Sequence, residues 1–360
     1  MSDDWHIDED SGCLVCNTIH HMGRRCRNWD YYGFGAYHIT LTLADRTKPL
    51  FGKLTAPAAS AQNGPASTQK VATIALTELG RQLEHEAWNI GDHHPEVRVL
   101  GVQVMPEHVH IVLTVIARMT KPLGNVIGGF KGGVTSIYRR LCALGAGAPS
   151  LWSDGFVDTI LNSEEEKQAA LVYLADNPRR AWEKRQHPEL FKVLRDIEHG
   201  GMHFAAIGNA WLLKQPTILQ VQCSRRFTRD TPEFCEKRDT LLAAAKHGAV
   251  LISPCISEGE REIARLAYEQ GYKVITLKNK GFSPLYKPGG KLFDQCAAGN
   301  LLMLAPTAWP YQPGEKRLTR EDCCIMNRIA QIIAGKNAIE IQYKGLVPNQ
   351  LESMVALATK

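Results

Sequence analysis

The sequence lacks both the G-x-G-x-x-G fingerprint and the G-x-x-x-x-G-K-[ST] phosphate loop, so dinucleotide binding and ATP hydrolysis find no support in it. No apolar run approaches the ~18 to 20 residues that a membrane helix needs. The longest, such as 109–117 (VHIVLTVIA), is short and reads as strand, and no membrane partner is expected. The first residues, MSDDWHIDED, show neither a basic n-region nor an apolar h-region, so no secretory signal is expected. The ten cysteines are scattered, which points to thiols in a reducing cytoplasm rather than to disulfides. Internal repeats and low-complexity tracts are absent as well.

What is present is an ordinary folding chain. Apolar residues at 44% and charged residues at 22% exclude a collagen-like, acidic-disordered or disulfide-scaffold protein. At 360 residues the chain exceeds the ~250 to 300 at which single cores stop growing, and two domains are expected. The net charge of +5 conceals a partition: residues 1–200 carry 21 basic and 23 acidic side chains, residues 201–360 carry 21 and 14. The second part therefore suits a nucleic-acid or phosphate partner better than a neutral metabolite.

Residues 36–43 (AYHITLTL) alternate and are rich in β-branched side chains, which predicts a strand. A small-polar loop follows at 56–67. Over 68–90, Val71, Ile74, Ala75, Leu79, Leu83 and Trp88 recur at helical spacing behind Ser67 and Thr68, which predicts a capped helix. Strands are expected at 97–105 and 108–116, broken at Met105-Pro106-Glu107. Helices are expected at 122–143 and 164–177, the second ending before Pro178 because the residue preceding proline disfavours the α region. The charged stretch closing on Gly200-Gly201 reads as a linker over 186–202. Beyond it, apolar strands at 203–208, 217–222, 249–254, 273–277 and 300–306 alternate with helices near 234–247, 258–270, 291–298 and 321–334. That alternation predicts an α/β, Rossmann-like domain with a mostly parallel sheet over 203–345, after an N-terminal segment (1–30) and a first domain (31–185), and before a tail (346–360).

His108-Val109-His110 falls in a strand, where residues two apart share a face, so both imidazoles project side by side. Two neutral imidazoles so placed chelate a divalent cation if a third ligand arrives from elsewhere. The competing reading is an incidental pair on a half-exposed strand, but apolar Val109, Ile111 and Val112 imply a covered strand in which unpartnered histidines are costly. Tyr173 and Asn177, four apart in a predicted helix, share one face. They suit either a nucleophile with a metal ligand, or a packed phenol with a cap before Pro178.

Taken in order, several segments resemble the single-tyrosine HUH transposases, specifically the REP-associated tyrosine transposase group, from about Arg24 to Arg185. They are Arg24-Arg25, Asp30-Tyr31-Tyr32 before AYHITLTL, Met105 through His110, the helix GNVIGGFKGGVTSIYRR, Leu151-Trp152 through Gly155-Phe156, and Tyr173 with Asn177-Pro178. The resemblance implies an α+β, ferredoxin-like HUH domain in which His108 and His110 bind Mg²⁺ or Mn²⁺. It also implies that Tyr173 attacks a phosphodiester of single-stranded or hairpin DNA, leaving a 5′-phosphotyrosine and a free 3′-OH. The family often places a glutamine four residues after the tyrosine as a further ligand; here Asn177 stands there, with a shorter reach. Active forms in the family are monomers or dimers, with the tyrosine acting in cis or in trans. Tyr138 is the rival nucleophile. A tyrosine hydroxyl, with a pKa of about 10, needs help to attack at neutral pH. Lys131, Arg139 and Arg140 suit backbone-phosphate contacts without base specificity, or simply a solvated helix face.

Near the start, Cys13, Cys16, His21 and Cys26 have the spacing of a CCHC zinc knuckle, with His20 as an alternative ligand for Zn²⁺. The second domain resembles DNA-processing protein A and related nucleotide-binding folds over roughly 203–335. Ligands of open α/β sheets bind at the carboxyl ends of strands, which singles out Ser224, Arg225, Arg226, Ser253 through Glu258, Asn327 and Arg328. A non-cleaving DNA-binding regulator is the alternative function for the whole chain.

Overall fold

The computed structural model describes residues 29–57, 72–145, 147–223, 231–284, 286–314 and 316–335, together with the backbone of 5–7 and 14–16. The chain divides into two compact units, Met1–Trp182 and Glu183–Lys360.

In unit 1 a short antiparallel pair, β1 (Trp5–Ile7) and β2 (Leu14–Cys16), precedes the alternating strand β3 (Gly35–Thr42). Next come β4 (Gly52–Thr55), β5 (Thr73–Leu76), α1 (Glu78–Trp88) and α2 (Ile90–His93). Then follow β6 (Val97–Val104), β7 (His108–Val115), α3 (Leu123–Leu141), β8 (Val157–Leu161) and α4 (Glu164–Gln186). Strands β6, β7, β3 and β8 lie in that order in one antiparallel sheet, giving a β-α-β-β-α-β path through β3, α1, β6, β7, α3 and β8.

The two-residue period of a strand sorts the side chains onto two faces. Tyr37, Ile39 and Leu41 of β3 with Val109, Ile111 and Leu113 of β7 face the main core. There α1 contributes Leu79, Leu83 and Ala87, and α3 contributes Val126, Ile127, Phe130, Val134 and Ile137 at three- and four-residue spacing. The opposite face carries Val112, on which α4 sets Ala170 and Leu174.

Three expectations for this region are corrected. The helix predicted over 68–90 begins only at Glu78. Thr73–Leu76 is instead strand β5, paired with β4, and the cap is Thr77, whose hydroxyl accepts from the Gly80 amide. Ser67 and Thr68 lie outside the described residues. The helix expected to stop before Pro178 continues to Gln186 with the proline inside it. Asn177 and Pro178 are both buried, and that packing outweighs the hydrogen bond the proline removes. The expected linker at 186–202 instead forms a 3-10 turn (Pro188–Phe191) and strand β9 (Leu194–His199). Gly200 and Gly201, at φ 61° and 74°, turn the chain into β10 (Met202–Gly208), the two-residue hairpin geometry that needs positive φ.

Unit 2 continues with a 3-10 turn (Ala210–Lys214), β11 (Ile218–Gln220), α5 (Pro232–Lys246), β12 (Val250–Ser253) and α6 (Glu258–Glu269). It ends with β13 (Val274–Leu277), α7 (Gly290–Ala297), β14 (Leu301–Pro306) and α8 (Arg320–Ala334). The sheet order is β11-β12-β13-β14-β10-β9. The first four strands are parallel, and β10 is antiparallel to both β14 and β9, so the sheet is mixed. Both faces are covered: α8 packs Ile325, Met326, Ile329 and Ile333 on one, while α5 and α6 bring Phe234, Leu241, Ile263 and Ala267 to another cluster. Burial on both faces is why these strands read as continuous apolar runs. Residues 346–360 lie outside the described residues. No helix among the described residues is long and apolar enough to cross a membrane.

Candidate active site

On the face of the unit 1 sheet under α4, strand register brings polar side chains together that are far apart in sequence. Thr40 is directly opposite His110, and His38 stands two residues along β3 on the same face. His108 Nε2 lies 3.0 Å from His110 Nε2, and His110 Nδ1 lies 3.0 Å from both His38 Nε2 and Thr40 Oγ1. At the end of the row, His108 Nδ1 is 3.1 Å from a carboxylate oxygen of Glu107.

Burial, then the neighbouring His108 and His38, push the His110 imidazole down to about 2, and burial also lowers His38. Both rings are thus neutral near pH 7, as a metal ligand must be. The hydrogen bond from His108 leads the causes that hold the Glu107 carboxyl below its ordinary value.

Helix α4 brings the tyrosine. Val112, Ala170 and Leu174 fix it to this face, and the Tyr173 ring stands edge-on to His38 and His110, with centroids 5.9 and 6.0 Å away. The Arg180 guanidinium lies over the same ring at 5.3 Å. Tyr173 approaches the histidines of its own chain. One turn further, Asn177 is buried at 7% exposure, and its Nδ2 has no hydrogen-bond partner. Tyr138, the rival nucleophile, packs instead against the main core on the opposite face.

Could this set hold a divalent cation? Two ligands about 2.1 Å from an octahedral ion stand about 3.0 Å apart, which is the separation of the His108 and His110 Nε2 atoms. His38 meets His110 at Nδ1, the other side of the ring. Consistently, no three His, Cys, Asp or Glu side chains among the described residues form a metal-binding group. The chain fits such an ion with two imidazoles, and the further ligand has to be of another kind. Asn177 carries a buried amide, whose oxygen and nitrogen exchange places by a simple flip.

The basic residues of α3 separate. Arg139 and Arg140 are exposed in its last turn. Lys131 is not presented to solvent in the same way: its ammonium donates to the carbonyls of Ser153 and Gly155 at 2.9 and 3.0 Å, tying down the loop before β8.

Of the residues singled out in the second domain, Ser224, Arg225 and Arg226 lie outside the described residues, as do Cys13, His21 and Cys26; Cys16 is described only as backbone in β2. Glu258 is exposed in the first turn of α6. In α8, Asn327 donates to the Cys323 carbonyl and accepts at its own carbonyl from Gln220, while Arg328 donates to Gln331. Glu260, missed in the sequence, is a buried acidic group in the first turn of α6. Its carboxylate accepts from the amides of Cys223, Ile256 and Ser257 at 3.2, 2.7 and 3.3 Å, and Ser257 reciprocates in a capping box. The Ser257-x-x-Glu260 spacing was the available signal. These amides, which otherwise suit an anion at a helix start, are taken by the chain's own carboxylate. His38, Thr40 and Glu107 were also missed; only the alternation of AYHITLTL hinted that His38 and Thr40 share a face.

No family model matches the chain. A protein of unassigned function from Haemophilus influenzae is 23% identical over 189 residues, spanning 47% of this chain and 93% of its own length. Among solved structures, the chain is similar to a REP-associated tyrosine transposase bound to a REP hairpin, with a TM-score of 0.28 and 16% identity over 44% of this chain and 74% of that one. It is also similar to DNA processing protein A from Helicobacter pylori, with a TM-score of 0.30 and 20% identity over 40% and 65% of the two chains. A candidate transposase from Deinococcus radiodurans R1 gives a TM-score of 0.25 and 15% identity over 43% and 96%. Likenesses at these scores are partial and assign this chain to no family.

Proposed function

We propose that unit 1 is a metal-dependent, tyrosine-nucleophile domain that nicks single-stranded or hairpin DNA and transfers the strand. The observation that carries the reading is the meeting of Tyr173 with His110, the partner of His108, across a helix, a strand and a loop of sequence. The ordered motifs resembling REP-associated tyrosine transposases support it, and the β-α-β-β-α-β order supports a ferredoxin-like assignment.

In this reading His108, His110 and the Asn177 amide oxygen would hold Mg²⁺ or Mn²⁺, which would supply Lewis-acid stabilisation of the scissile phosphate's charge. The Tyr173 hydroxyl oxygen attacks phosphorus and gives up its proton, the bond to the leaving 3′ oxygen breaks, and that oxygen takes a proton. The product is a 5′-phosphotyrosine and a free 3′-OH. Attack by another 3′-OH reverses the step, so one phosphodiester replaces another without ATP. Arg180 packs its guanidinium over the Tyr173 ring and holds the ring in place. Arg139 and Arg140 would neutralise backbone phosphates. The basic second unit, with its DNA-processing protein A resemblance, would serve as a further DNA- or nucleotide-binding element, and Cys13, Cys16, His21 and Cys26 as a Zn²⁺ site.

The test is incubation of the full chain with labelled single-stranded hairpin DNA and Mg²⁺ or Mn²⁺. A covalent adduct that survives denaturing electrophoresis is expected, and Tyr173→Phe should abolish it; an adduct persisting in that variant would sink the assignment. A second reading, a non-cleaving DNA-binding regulator, is favoured by the convergence of only two imidazoles and by the short Asn177 amide. It predicts DNA binding by the unsubstituted protein with no adduct under either ion.

A further inference from the structure

At the end of the unit 1 sheet away from the histidines, the chain holds an aromatic ring out in solvent. Phe34 is 72% exposed, yet the backbone before it is pinned. Asp30 closes a turn, accepting from the Gly33 amide at its carbonyl and from the Tyr32 amide at its side chain, and its carboxylate also takes the Arg118 guanidinium at 2.8 Å. The Met119 amide donates to the Tyr32 carbonyl, and β3 begins just after the ring, at Gly35. An apolar ring on a fixed turn is a preformed contact surface. It lines a cleft of about 470 Å³, the size of an ordinary small-ligand site. Ala36, Leu161 and the exposed Ile116 give the cleft its apolar lining, and Thr114, Asn162 and Lys167 bring polar groups to it.

Strand register puts this cleft on the same face as the candidate active site. His108, His110, Val112 and Thr114 alternate along β7 on that face, as Thr40, His38 and Ala36 do along β3. From His110 to Thr114 is about 13 Å at the rise of a strand. From Glu164 to Tyr173 along α4 is about 14 Å at helical rise. One strand over, Arg98 of β6 stands directly opposite Thr114, exposed and in no ion pair among the described residues. Two acids of the first turn of α4 are engaged by the chain itself, Glu164 with Lys167 and Glu166 with the Asn162 amide.

We propose that this cleft receives one unpaired base of the DNA strand, stacked on Phe34, with Arg98 meeting a neighbouring phosphate. The inference rests on the reading of unit 1 as a domain that acts on single-stranded DNA. A pinned ring with an open side suits a base, because every base has a π-face. The Asn162 amide, donor and acceptor at once, can tell one base edge from another. At the ~3.4 Å rise of a stacked strand, the length of α4 between cleft and Tyr173 is about four nucleotides, and an extended strand covers it in fewer. The base held by Phe34 thus lies about two to four nucleotides from the phosphate that Tyr173 attacks. Such a contact sets the register of the strand. The histidines and Tyr173 cannot do so, because a phosphodiester is the same at every position.

The experiment uses the full-length protein and a fluorescent DNA hairpin flanked on each side by about ten unpaired thymidines, with single abasic sites stepped along the flanks and affinity read by anisotropy without divalent ion. One abasic position should weaken binding about 5- to 150-fold, the equivalent of one base stacked on an aromatic ring. Phe34→Ala should weaken the intact strand by the same factor and make that position silent, while Phe34→Trp, which keeps an aromatic face, should retain both. Arg98→Ala should lower the salt dependence by about one phosphate contact. Phe34→Ala binding the intact strand as tightly as the parent, or a scan of the parent in which no position stands out, overturns the inference. So does a parent that self-associates where Phe34→Ala stays monomeric at equal DNA affinity, since the ring is then a contact between copies of the chain. The two readings fail separately. A covalent adduct formed by Phe34→Ala at parental affinity removes the cleft alone, whereas no adduct from the parent under Mg²⁺ or Mn²⁺, with the abasic pattern intact, removes cleavage and leaves the cleft. No DNA binding by the parent removes both. The abasic scan of the parent needs no substitution, so a poorly folding variant leaves the decision intact.

Discussion

Acidification from pH 6.5 to 4.5 should weaken unit 1 through His110. The ring is 7% exposed and held near 2 in the fold, against an ordinary 6.5. Over that window the unfolded chain takes up a proton on His110 that the folded chain refuses, so stability falls as pH falls. One proton of difference costs about 1.4 kcal/mol per pH unit once the window is entered, and the integral from 6.5 to 4.5 is about 2 kcal/mol. His38, also lowered by burial, adds in the same direction. The depressed carboxyls Asp30 and Glu107 have the matching sign but start from ordinary values of 3.8 and 4.5, so their losses come at lower pH. Urea unfolding, read by pulsed hydrogen exchange and mass spectrometry on peptides from β3 and β7 at one fixed pulse pH, separates unit 1 from unit 2. The midpoint should drop between the two pH values, and His110→Gln should drop less. A midpoint that does not move, or a variant that moves in parallel with the parent, would refute the claim that His110 is held neutral.

Two further outcomes concern charged groups whose roles the structure separates. Arg139→Ala and Arg140→Ala should each lower the salt dependence of single-stranded DNA affinity by about one phosphate contact, whereas Lys131→Met should leave that slope unchanged and speed hydrogen exchange at 151–156; a slope that responds to Lys131 instead would reverse the assignment. Glu260→Ala should destabilise unit 2 by about 3 kcal/mol or more, because three amides lose their acceptor and each buried orphan donor costs about 1 to 3 kcal/mol; unfolding followed on peptides from β11 and β12 measures it, and a loss under the cost of one such bond would show that water replaces the carboxylate.

Much of the fold was legible wherever one period dominated. In unit 2, apolar runs bounded by turns placed β10 through β14 and all four helices nearly at their observed limits, because strands buried on both faces admit no polar ambiguity. The errors have particular causes. Val71, Ile74, Ala75 and Leu79 fit a helical period, yet Thr73–Leu76 pairs with Gly52–Thr55, and a short strand cannot be told from a helix start without its partner. Leu194–His199 is charged because it lies at the sheet edge, where charge guards against further pairing, and the same charge made it resemble a linker. In the sequence Lys131 suits a phosphate contact or a solvated helix face, and its acceptors, the carbonyls of Ser153 and Gly155, are invisible there because they come from a loop more than 20 residues away.

The candidate site shows where sequence reading stops for a physical reason. Two-residue periodicity alone put His108 and His110 on one face, and one helical turn put Asn177 beneath Tyr173. His38 needed more, since its neighbour His110 is 72 residues distant and is reached only through the register of β3 on β7. That register is held by the other face, where Tyr37 meets Leu113, Ile39 meets Ile111 and Leu41 meets Val109 in the core. A slip of one residue would turn all three apolar side chains out and drive His38 and Thr40 into that core. The packing of one face of the sheet thus sets the imidazole geometry of the other, and substitutions at Ile39 or Ile111 should disturb the histidine contacts without touching them.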